Sequence, residues 1–129
     1  KVARAMPNTP AAIAEGVSAL CFNENLSADE RAAVREIFEN FGAVYELEEA
    51  KFAAFTGIAG SLPAYACAFI EVAADAGVRG GLPRRICYDA VCAAVEGTAR
   101  LRPMQECLRG CLEHWRTKPS LLASRALRG

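Results

Sequence analysis

Residues able to do chemistry gather in three places along the 129-residue chain. The first is a Cys–x3–Cys–x2–His run, Cys107, Cys111 and His114. At i, i+4 and i+7 they share one helical face, and two thiolates with an imidazole are zinc ligands. A tetrahedral site needs a fourth ligand, and none is evident. Small apolar packing beside Leu108 and Leu112 is the better account, so no metal is expected. His114 has no partner that would make it a general base. Cys87 and Cys92, at i, i+5, face diverging directions. The second place is "GVRGG", Gly77 to Gly81, which follows a helical pattern rather than a strand and so cannot cradle a phosphate. The third is "RAMPNTP", Arg4 to Pro10. Pro7 and Pro10 fix the backbone there, and Asn8 and Thr9 present polar groups from it. From residue types alone this reads as an Asx-type turn.

These residues need elements to hold them. "GVSALCFN", from Gly16 to Asn23, reads as a strand apolar on both faces, as in a sheet covered on both sides. Ser27 with Glu30 forms a capping box at a helix start. Val34, Ile37, Phe38 and Phe41 then make one apolar stripe expected to be buried. Gly42 is expected to stop that helix, and "AVYEL" (Ala43–Leu47) is a second strand. A helix is expected over 49–56, then a break at "GIAGSLP", since two glycines and a proline propagate helix poorly. The next helix is expected from Pro63 to Ala76 with Gly77 as its cap, another from Pro83 to Leu101, and a last one from Pro103. The helix from Pro63 is apolar all round and rich in alanine, which predicts burial, in part against another subunit. Two strands alone are marginal, so they read as the end of a larger sheet.

Composition narrows the classes. Hydrophobic residues make up 53% of the chain, and 15 basic residues balance 15 acidic ones. That suits one domain with a modest core and predicts neither a nucleic-acid nor a membrane-surface partner. The longest apolar run, Leu62 to Ile70, ends at Glu71, short of a transmembrane span. Prolines interrupt the N-terminal stretch, against a signal peptide. Four of the six cysteines (Cys67, Cys87, Cys92 and Cys107) sit in helical patterns, where a thiol behaves as a small hydrophobe. A reducing, cytoplasmic setting is expected.

"RAMPNTP", "EGVSALC" (Glu15–Cys21) and "TGIAGSLPAYACAFIEVAADAGVRGGLPR" (Thr56–Arg84), in that order, resemble pyrroline-5-carboxylate reductase. The similarity runs from about Val2 to Leu101. The resemblance implies an N-terminal Rossmann domain for NADP or NAD and a helical domain that interlocks with its twin. The dimers can assemble further into a decamer. It also implies reduction of the C=N bond of 1-pyrroline-5-carboxylate to L-proline. The implied fold is mainly α: a helical dimerisation bundle preceded by a short β-α-β remnant of a Rossmann-type sheet. Residues 1–48 would be the end of the cofactor domain and residues 49–129 the dimerisation domain.

By the same resemblance, Thr56 matches a proton donor, and Glu49 and Ser61 match substrate-binding positions. Met6, Pro7, Asn8 and Thr9 would lie beside the nicotinamide. Read without the resemblance, Thr56 is a helix hydroxyl bonding its own backbone and Glu49 a first-turn acid. The chain departs from the family at Ala59, where serine is common, and at Leu62, where glycine or serine is usual. After Leu101 it lacks the family's glycine-rich carboxylate loop. No G-x-G-x-x-G occurs. This chain alone is therefore expected to bind no dinucleotide and to be inactive without the rest of the enzyme. The other expectation is a non-catalytic homodimerisation module.

Overall fold

The parallel pairing of two strands at the centre of the first half dictates most of its layout. A computed structural model describes residues 1–101 and 109–110, and the chain divides into two compact units, Lys1–Cys67 and Ala68–Gly129. In the first unit β1 (Ala3–Pro7), β2 (Gly16–Phe22) and β3 (Gly42–Glu46) form a three-stranded sheet in that order. β2 and β3 are parallel, so the chain must cross over between them. It does so through α1 (Ala28–Glu39), which packs on both strands. Ser18, Ala19 and Leu20 of β2 are fully buried and form the heart of this unit.

β1 was not expected. It runs antiparallel to β2, with Ala3 opposite Phe22 and Pro7 opposite Ser18. Arg4 and Pro7 disguise it in the sequence, yet proline is tolerated at the end of an outer strand, where its missing N–H is least needed. The sheet thus has one strand more than the expected β-α-β. The proline corner begins as this strand and ends as a 3-10 turn, Thr9–Ile13.

α1 starts as its sequence dictates. Ser27 Oγ accepts from Glu30 N at 3.3 Å, and Ser27 N donates to the Glu30 carboxylate at 2.9 Å. The Lys1 ammonium and the Ser27 N–H hold the Glu30 carboxyl below its ordinary range. The expected buried stripe is only partly covered. Val34 and Phe38 are half-buried, whereas Ile37 and Phe41 remain exposed, with no described element lying over them.

The expected break at Gly57–Pro63 is instead a change of helical pitch. A 3-10 turn (Glu49–Lys51) leads into α2 (Phe52–Phe55), then a π turn (Thr56–Gly60), then α3 (Leu62–Arg79). The Ser61 N–H reaches back five residues to the Thr56 carbonyl at 3.0 Å. Widening the helix accommodates the glycines without ending it. The stretch Glu49–Arg79 is then long and apolar enough to cross a membrane by length and composition alone. This corrects the expectation drawn from the shorter apolar run.

In the second unit α3 runs on to Arg79, past the expected cap at Gly77. α4 (Arg84–Arg100) follows after a short turn. Gly77 permits close approach rather than termination: a Cβ there would lie 2.7 Å from the Cys87 sulfur. Cys87 is buried and Cys92 exposed; in the first unit Cys21 is half-buried and Cys67 exposed. Arg84 pairs with Asp75 at 2.7 Å and lies near Glu71, which accepts a hydrogen bond from the Tyr88 hydroxyl. Glu71 raises the Tyr88 pKa, and Asp75 raises that of Arg84. An open apolar cleft of about 550 Å³ is lined by Phe69, Ala73, Val91 and Val95, among others. Phe69 and Val72 are 62% and 67% exposed, so the burial expected for α3 is not supplied by the described residues. The helix expected from Pro103 and the trio Cys107, Cys111 and His114 lie outside the described residues.

Candidate functional site

The first unit brings the proline corner and the π turn together. β1 delivers Met6 to the sheet end, and the extended backbone of Asn8 (φ −112°, ψ 171°) opens the 3-10 turn. The Asn8 side chain spans two partners: Oδ1 accepts from Val17 N at 2.8 Å, and Nδ2 donates to the Ala59 carbonyl at 3.1 Å. The Asx-type turn weighed from sequence is therefore not formed by this side chain. Pro7 closes β1, and Thr9 begins the 3-10 turn and is exposed.

Thr56 stands at the start of the π turn. Its hydroxyl oxygen lies 2.8 Å from the Phe52 carbonyl and 2.7 Å from Met6 Sδ. A hydroxyl has one proton, and the carbonyl is the stronger acceptor, so the proton is directed to Phe52. The backbone bond that the residue type suggested is thus present, and rotation about one torsion would release the proton to another acceptor. Ser61 is half-buried; its carbonyl accepts from Ala64 N at 3.1 Å and from Tyr65 N at 3.4 Å.

Glu49 is engaged by a residue that sequence reasoning passed over. The Arg4 guanidinium donates to its carboxylate at 2.6 Å and also stacks over the Phe52 ring, 4.7 Å from the centroid. Phe52 is 2% exposed and anchors the start of the helical stretch. Arg4 opens the quoted motif, but its partner lies 45 residues away, and nothing local signals it. All seven expected site residues, from Met6 to Ser61, fall in this unit.

A family model described as pyrroline-5-carboxylate reductase dimerisation matches residues 49–119. The chain belongs to the pyrroline-5-carboxylate reductase family. The pyrroline-5-carboxylate reductase of Aquifex aeolicus is 45% identical over 74 residues, covering 57% of this chain and 28% of the relative. That of Synechocystis is 43% identical over 100 residues, covering 78% of this chain and 38% of the relative. A crystal structure of the Plasmodium falciparum reductase with NADP bound superposes with a TM-score of 0.74 at 34% identity, covering 78% of this chain and 41% of that one. The chain thus spans about a third of the length of the curated relatives it matches.

Proposed function

We propose that this chain works as the dimerisation part, with the end of the cofactor domain, of an enzyme that reduces 1-pyrroline-5-carboxylate to L-proline. The observation that supports the reading is the seating of the proline corner against the π turn, where Met6 Sδ meets the Thr56 hydroxyl and the Asn8 amide meets the Ala59 carbonyl. Residues 1–48 belong to the cofactor domain in this reading, and residues 49–129 to the dimerisation domain. The partner is a second copy of the chain, with a decamer as the larger assembly. Neither nucleic acid nor membrane is a partner, and the exposed faces of α3 are covered by the twin. A reducing, cytoplasmic location completes the reading, on the ground that cysteines in helical patterns pack as small hydrophobes.

A reduced nicotinamide, NADP or NAD, supplies the hydride in such an enzyme; the NADP-bound relative supports this. The described residues do not fit the whole dinucleotide. The connection from β2 to α1 is Asn23, Glu24, Asn25, Leu26 and Ser27, with an acid and no glycine where a pyrophosphate would need bare N–H groups. Of the proline corner, Met6, Pro7 and Thr9 are left to meet the nicotinamide end, since both ends of the Asn8 amide are taken up within the chain. What this chain adds is orientation and a proton. The proton passes from water through the Thr56 hydroxyl to the ring nitrogen, which is then cationic until the hydride makes it an amine. The Thr56 hydroxyl, rotated away from Phe52, hydrogen-bonds the ring nitrogen as it becomes an amine. The exposed Glu49 carboxylate, held by Arg4, faces a cationic ring nitrogen favourably, and Ser61 lines the same turn.

The test uses the natural protein that contains this chain. Consumption of NADPH with 1-pyrroline-5-carboxylate should be rapid and should fall by about 10²-fold in Thr56→Ala. No turnover by the wild type would refute the assignment. The isolated chain, titrated with NADPH while its fluorescence is followed, should show no saturable binding. A non-catalytic dimerisation module is favoured if the natural protein dimerises and neither turns over nor binds NADPH.

A further inference from the structure

The carbonyl of Ala59 is stranded by the sequence. In an α-helical turn it would accept from the residue four positions on, which is Pro63 and has no N–H. The next donor, Ala64 N, goes to the Ser61 carbonyl at 3.1 Å. Ala59 receives Asn8 Nδ2 instead, from 51 residues upstream. The opposite end of that amide accepts from Val17 N, and the Asn8 N–H donates to the Val17 carbonyl at 3.2 Å. A backbone donor at one end and a backbone acceptor at the other leave one orientation for the amide. Asn8 also occupies the N-cap position of the 3-10 turn, where asparagine ordinarily caps, and its side chain makes no cap bond. The amide is spent on joining two distant segments.

We propose that Asn8 is a positioning residue: its amide substitutes for the N–H that Pro63 lacks, and so fixes the π turn, with Thr56 at its start, against the proline corner. This replaces direct cofactor contact as the role of the Asn8 side chain and rests on the function proposed above. Asn8→Asp separates the two ends of the clamp, because it keeps the acceptor for Val17 and sets a carboxylate oxygen against the Ala59 carbonyl. Asn8→Ala removes both.

Amide hydrogen exchange on the chain reads the clamp without catalysis. The Ser61 N–H should exchange roughly tenfold faster in both variants. Val17 N–H should stay protected in Asn8→Asp and lose protection in Asn8→Ala. Adding Pro63→Ala to Asn8→Asp gives Ala59 a backbone donor and should restore Ser61 protection. In the natural protein Asn8→Asp should lower kcat roughly tenfold while KM for NADPH stays within about twofold, the split expected for lost orientation. Unchanged Ser61 exchange in Asn8→Asp would overturn the proposal, and so would a raised KM for NADPH with kcat intact. A wild-type protein without reductase activity would remove the proposed function, and the exchange comparison would still decide the clamp.

Discussion

Two glycines show how tightly single positions are constrained. Gly42 takes φ +130°, and a Cβ there would sit 2.1 Å from the Gly16 carbonyl oxygen, where β3 begins alongside β2. Both the dihedral and the contact forbid a side chain. Gly42→Ala should cost about 3 kcal/mol or more, read as a lower denaturation midpoint. Gly77 has ordinary helical geometry and is limited by contact alone, with the Cys87 sulfur 2.7 Å from a notional Cβ. A sulfur can shift, so Gly77→Ala should cost about 1–3 kcal/mol in the same measurement. Gly77→Ala with Cys87→Ala should recover part of that loss. Sequence reading saw both glycines as helix stops. It could not see either close approach, because Gly16 and Cys87 are remote from their partners in the chain.

Among the elements, those coded by contiguous residues were legible and those completed from a distance were not. β2, α1, β3 and α4 lie within a residue or two of their expected bounds, since apolar runs, the Ser27–Glu30 box and Pro83 act locally. β1 was hidden because an arginine and a proline interrupt its pattern; only pairing with β2 defines it. The π turn was read as a break, because its stability depends on Asn8 rather than on its own residues. Of the site, every expected residue falls in one unit, while Arg4 carried no local signal. Pro63 marks the Ala59 carbonyl as lacking a helical donor, but nothing nearby names the Asn8 amide that fills the place. The start of α1 yields a pH dependence. The Glu30 carboxyl is lowered from 4.5, first by Lys1 and then by the Ser27 N–H. A depressed carboxyl stabilises the fold above its unfolded pKa, and the gain disappears as pH falls through the folded value. Amide exchange in the first turn of α1 should therefore speed up below about pH 4.5, and in Glu30→Gln that acid step should vanish.

For the whole molecule, the exposed aromatic and branched side chains of α3 mark an apolar surface that the described residues leave uncovered. Phe69 and Val72 stand well out of the fold beside an open apolar cleft. A second copy of the chain is the occupant proposed for that surface, in keeping with the dimerisation family model that matches residues 49–119. The chain should sediment as a dimer or larger at micromolar concentration, and Phe69→Glu should shift it toward monomer by at least about tenfold in dissociation constant. A wild-type monomer under those conditions would contradict the assembly reading. The Asn8–Ala59 bond also has a bearing on synthesis. The asparagine leaves the ribosome 51 residues before its acceptor, so the ribbon that carries it can be laid down before the rod it steadies is translated. A circular permutant that makes the rods first would present a bare carbonyl with no mate, and should acquire its native winding more slowly.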